Sequence, residues 1–143
     1  MFLRNKKGGA GEVITAMVTV LMILIVLMLG FDVAVIFLAH QVAINDARDI
    51  ANDIQSEYTW NGSIKDLEKE SGLGARLIIH NVCWGPVNGD TLGDCGTSPL
   101  TGESGKAFYV RITWSTRPIG LPFFPRTNHA THIARGTLQV PAR

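Results

Sequence analysis

No charged residue falls between Val13 and Phe31, no proline precedes Pro86, and after Gly30 no glycine appears until Gly62. The first absence excludes an ordinary surface helix of a soluble domain, which carries a polar face. The other two remove the residues that most readily end or kink a helix. Lysine and arginine are missing between Lys7 and Arg48, and cysteine is scarce, with Cys83 and Cys95 alone and none placed for lipid attachment near the start. Patterns that announce catalysis are missing too. His40, His80, His129 and His132 sit in no nucleophile or metal-protease motif, and the glycine-containing stretches lack phosphate-loop spacing. The chain is not expected to be an enzyme, and no cofactor or metal is implied.

What is present is a long greasy run. Val13 to Phe31 contains only Thr15 and Thr19 as polar side chains, and nineteen residues at ~1.5 Å each match a hydrocarbon core of ~30 Å. This predicts one membrane-spanning helix. Glu12 and Asp32 bracket it, about 30 Å apart along a helix. A secretory signal would have a shorter apolar core, of ~7 to 15 residues, and a small-residue cleavage site after it. The apolar run then resumes from Val33 to Ala39, an apolar collar that lipid does not require and that asks for a protein partner.

Arg4, Lys6 and Lys7 precede the span and no base follows it until Arg48. The positive-inside rule therefore puts the N-terminus in the cytoplasm and the remainder outside, in a single-pass arrangement in the cytoplasmic membrane. Past His40 the apolar positions thin to a stripe, Ala43, Ala47, Ile50, Ile54 and Tyr58, at helical spacing. The expected divisions are a basic leader over 1–11 and a long helix over 12–60, followed by a head over 61–143. Within the helix, the span covers 13–31, the collar 33–39 and an amphipathic stem 40–58, with Gly30 the place where it would bend.

Trp60, Asn61 and Gly62 break the helix pattern. Ser63 with Asp66 resembles a capping box, so a short second helix is expected before Gly72 and Gly74. Ala75 to Trp84 reads as a strand, and Gly85, Pro86 with Asn88, Gly89, Asp90 turn the chain. Lys106 to Thr116 alternates most clearly: Phe108, Val110, Ile112 and Trp114 form a core face, and Tyr109, Arg111, Thr113 and Ser115 a wet one. Ile119 to Pro125 is an apolar connection broken by proline, and His129 to Val140 is a last strand. The fold class is α+β: long helix, short helix and a small antiparallel sheet of three or four strands.

Cys83 and Cys95 both lie in the part assigned to the outside, where disulfides persist, and pairing is expected. Closing such a loop stabilises a small domain by about 3 kcal/mol. The competing reading is a metal site of His80, Cys83, Cys95, His129 and His132. Against it, residues three apart on a strand face opposite sides, which separates His80 from Cys83.

Asn45 to Glu70 carries seven acids against three bases, and Ser71 onward seven bases against three acids. Stem and head could attract each other, or each could be a solvated face. The basic excess falls short of a nucleic-acid binder, although Arg111, Arg117, Arg126 and Arg135 accompany Tyr109, Phe123 and Phe124. Glu12 has two readings. A carboxylate at a helix N-terminus is favoured by the dipole by ~0.3 to 1 kcal/mol; alternatively, it pairs in trans with a neighbour's new α-ammonium after leader cleavage. For Asp32, an interfacial polar cap is favoured over an intersubunit contact.

Lys6, Lys7 and Gly8 before small residues, then Glu12, an unbroken apolar helix, an amphipathic continuation and a small sheet, resemble type IV pilin-like proteins. More closely, the chain resembles TadE-like pseudopilins and a related family of uncharacterised small membrane proteins from bacterial conjugative elements. Ala47, Arg48 and Ala51 are similar to the former; Glu70 to Leu73, Leu92 to Asp94 and Leu121 to Phe124 are similar to the latter. The resemblance implies a pilin-like lollipop cut by a prepilin peptidase near Lys7, Gly8 and Gly9. Assembly on an inner-membrane platform would follow, with copies of itself or other pilins, into a pilus or its base and finally an extracellular filament. The family pattern cuts after glycine with glutamate fifth; here a cut after Gly8 makes Glu12 fourth, and a cut after Lys7 makes it fifth. The alternative is an uncleaved single-pass protein whose external head binds a partner in a conjugation or secretion machine.

Overall fold

The computed structural model describes residues 9–98, 100, 106–117 and 127–134. Helix α1 runs unbroken over Ala10–Glu57, 48 residues. Gly30 does not interrupt it, since the helical neighbours on both sides supply the hydrogen-bond ladder. The two polar side chains inside the apolar stretch are satisfied by the helix itself. Thr15 Oγ1 donates to the Gly11 carbonyl at 2.9 Å and Thr19 Oγ1 to the Thr15 carbonyl at 2.8 Å, so neither hydroxyl depends on an outside acceptor. The helix stops at Tyr58, which turns left-handed at φ 63° and donates its N–H to the Ile54 carbonyl at 2.8 Å.

Helix α2, Ile64–Glu70, starts at Ser63, whose hydroxyl accepts the Lys65 N–H. Gly72 and Gly74, both at positive φ, end it and lead to one 3-10 turn, Gly74–Arg76. Four strands follow: β1 Leu77–Asn88, β2 Thr91–Leu92, β3 Phe108–Thr116 and β4 Asn128–Ala134. They form one antiparallel sheet in the order β2-β1-β3-β4. The class is α+β.

The core lies between α1 and the sheet. Ala39, Ala43 and Ala47 are completely buried, with Ile50, Ala51 and Ile54 continuing the stripe, and the helix crosses β3 and β4. Alanine is required because helix and sheet backbones approach closely here, and Ala130 and Ala134 on β4 are equally small and buried. Phe108, Val110, Ile112 and Trp114 supply the bulk, while α2 covers β1.

Three expectations need correction. The chain does not turn at Gly85 and Pro86: β1 continues through them, opposite Tyr109 and Phe108, and reverses at Gly89. Tyr109 is not on a wet face; it is 1% exposed, because the loop carrying Cys95 folds over it. The last strand is described over Asn128–Ala134, and residues 135–140 of the expected strand lie outside the described residues. His80 is also the extra residue of a bulge between Ile79 and Asn81. Its Nε2 shares a 2.7 Å hydrogen bond with Ser115 Oγ on the face away from the core. The bulge restarts the alternation, so Val82 and Trp84 point to the core and Cys83 shares the outer face with His80.

Candidate functional site

The candidate site residues on α1 are Glu12 near its start and Asp32 beside the head. Gly9 caps the helix in an extended conformation without a side-chain bond, and Glu12 lies exposed in the first turn, its N–H on the Gly9 carbonyl at 2.9 Å. Lys7 and Gly8, the other expected processing residues, lie outside the described residues. From Glu12 the exposed flank continues through Val13, Ala16, Met17, Val20 and Leu24. It is the side of a bare helix, apolar throughout.

The collar divides. Val35 and Ala39 turn inward and are buried by the chain's own head, whereas Val33 is 66% exposed, Phe37 62% and Leu38 51%. The head thus covers one stripe of the helix and leaves the rest of the collar open. Phe37 and Ile36, with Val33, His40 and the buried Trp114, border a shallow hollow that reaches Asn128 and His129 on the β4 edge. The Trp114 indole N–H has no acceptor among the described residues.

Asp32 is buried, on the head-facing side of α1, and it is partnered there. Beside it, the Arg76 guanidinium lies over the Phe31 ring, 4.7 Å from its centroid. Nothing in the spacing of the sequence announced Arg76, since the contact is made by a 3-10 turn far along the chain. A second residue missed by sequence reading is Asp46. Burial first, then the charges of Asp49 and Glu70, push its carboxyl up to about 6, and its Oδ2 has no hydrogen-bond partner among the described residues. The signal was present: Asp46 lies three residues after Ala43 and four before Ile50, on the edge of the buried stripe.

Cys83 and Cys95 are joined in a disulfide, Cα atoms 5.4 Å apart. Both sulfurs are consumed, which removes them from any metal site; among the described residues no three His, Cys, Asp or Glu side chains converge on one point. The bridge is part of a larger clasp. Trp84 and Gly96 exchange backbone hydrogen bonds, the Trp84 indole donates to Ser98 O at 2.8 Å, and Tyr109 Oη donates to Gly93 O at 2.7 Å. Gly85 is obligatory beneath it, because a Cβ there would collide with the Asp94 carbonyl oxygen and press on the Tyr109 ring. Leu100 N–H then reaches the Tyr58 carbonyl at 2.9 Å, tying the clasp to the end of α1.

The arrangement is therefore one helix long and apolar enough to cross a membrane, fused to a disulfide-clasped sheet. No family model, no curated protein and no solved structure matches the chain, so its functional reading rests on these residues.

Proposed function

We propose that the chain is a non-enzymatic structural subunit, a minor pilin or pseudopilin of a type IV pilus-like or Tad-like filament or of a related secretion or conjugation apparatus. Its helix is first held in the cytoplasmic membrane, with the N-terminus inside, and is then buried among like helices. The observation that carries this reading is the open collar: Val33, Phe37 and Leu38 stay exposed beside the head, beyond the nineteen residues that lipid covers. An apolar surface outside both lipid and the protein's own core is the mark of a protein interface. In this reading Glu12, exposed in the first turn of the helix, neutralises the α-ammonium of a processed neighbour. The extended backbone at Gly9 suits entry into a peptidase cleft.

Mass spectrometry of the N-terminus of the purified protein tests processing. A new terminus at Gly8 or Gly9, together with Glu12→Ala protein that stays in the membrane and out of filaments, supports the proposal. An intact Met1 with no filament association supports the alternative, an uncleaved single-pass protein whose head binds a partner, which the fourth-place glutamate after a cut at Gly8 favours.

A further inference from the structure

A cavity of about 450 Å³ opens between α2 and the start of β1, bordered by Lys65, Lys69, Gly74, Ile78 and Arg117. Three of these side chains are cationic. The one carboxylate at its wall, Glu68, is already engaged, with Oε1 accepting the Ile79 N–H at 2.8 Å. Of the other acids of α2, Glu70 is instead close enough to Asp46 to raise its pKa, and Asp66 does not border the cavity. The concentration of positive charge is thus local to the cavity, although α2 as a whole is mixed.

The position of the cavity, with its charge, points to the class of ligand. Arg117 N–H donates to the Arg76 carbonyl at 2.9 Å, and the Arg76 guanidinium sits over Phe31, the last residue of the uncharged run. The Arg117 edge of the cavity is therefore tied through Arg76 to the end of the uncharged run, which on the membrane reading lies near the phospholipid phosphates. We infer that this cavity binds the phosphodiester headgroup of an anionic phospholipid in the outer leaflet, with Lys65, Lys69 and Arg117 as its cationic contacts. The inference rests on the membrane reading above. Arg76 positions the cavity through Phe31, and the bound headgroup holds the head against the bilayer before the subunit leaves it.

The test uses the full chain. Flotation with phosphatidylcholine liposomes comes first: failure to float overturns the membrane reading and this inference with it. Protein that floats is then taken in detergent with equal amounts of phosphatidylglycerol and phosphatidylcholine, and the retained lipid is read by native mass spectrometry. The expected result is a preference for phosphatidylglycerol of about five-fold or more, the order set by a single cation at a charged surface. It is lost in Lys65→Gln/Lys69→Gln/Arg117→Gln and kept in Lys106→Gln/Arg111→Gln, with thermal unfolding confirming that both variants are folded. Equal retention of the two lipids, or a preference that survives the triple change, overturns the inference while leaving the span intact. Displacement of phosphatidylglycerol by millimolar glycerol phosphate, or by a short single-stranded DNA, overturns the assignment to lipid.

Discussion

The Arg76 guanidinium stands 4.7 Å from the centre of the Phe31 ring, so the head is pinned to the helix at the level where the uncharged run ends. A cation over an aromatic face contributes about 0.5 to 1 kcal/mol when exposed and more when water is excluded. Its value here is in setting the height of the head.

Phe31→Leu keeps the apolar volume and removes the ring. Unfolding of the detergent-solubilised full chain is expected to show a loss of about 0.5 to 1 kcal/mol, and the same loss is expected for Arg76→Gln. In a double-mutant cycle the two losses should not add. Strict additivity would show that the pair is not coupled.

The clasp over Tyr109 predicts a graded series. Tyr109→Phe removes the hydrogen bond to Gly93 and should cost about 1 kcal/mol. Gly85→Ala forces a methyl into the Asp94 carbonyl, and a shift of that loop should cost about 1 to 3 kcal/mol. Reduction of Cys83–Cys95 should cost about 3 kcal/mol by the loop-closure estimate. Equilibrium denaturation with and without reductant orders the three; an equal response would contradict the clasp.

Much of this was legible in the sequence because single periodicities governed it. The apolar run and the Ala43, Ala47, Ile50, Ile54 stripe specify a helix and its buried face without reference to the rest of the chain, and the Cys83–Cys95 pairing was expected because both cysteines fall after the apolar run, in the part assigned to the outside. The bulge at His80 was not legible: one extra residue flips every later side chain, and the run Leu77 to Trp84 fits either register. Tyr109 was assigned to solvent for a similar reason, since strand alternation marks two faces but does not say that a disulfide-tied loop will cover the second. Pro86 was read as part of a turn, yet β1 runs through it opposite Phe108, and pairing resumes at once with Val87, whose N–H reaches Ala107 O at 3.0 Å. Arg76 on Phe31 had no local signal at all.

Asp46 predicts a pH dependence. Its carboxyl titrates near 3.8 when unfolded and at about 6 when folded, raised by burial and by Asp49 and Glu70. The folded state therefore holds the proton more tightly. Stability from this group is highest below pH 4, falls as pH rises from about 4 to 6, and stays reduced above that. Asp46→Asn should stabilise the full chain at pH 7 by about 1 kcal/mol, a figure reduced because the half-buried group is partly screened by water. The gain should vanish below pH 4; a gain that is the same at pH 4 and 7 would contradict the assignment.

The two sides of α1 should respond oppositely to substitution. Ala43→Leu, on the side buried against the sheet, overpacks the core and should destabilise the head by about 1 to 3 kcal/mol. Phe37→Ser, on the open side, should change stability by less than about 0.5 kcal/mol while lowering recovery in filaments or higher assemblies. Thermal unfolding and sedimentation of the same samples compare them.

Photo-cross-linking in living cells from a benzophenone side chain placed at Phe37 asks most directly what covers the open collar. Adducts with a second copy of this chain or with another pilin-like subunit, lost when Glu12 is replaced by alanine, are the result expected of a helix buried among its own kind. A Phe37 probe that never captures protein, in cells where the chain is abundant and its leader uncut, would contradict that account.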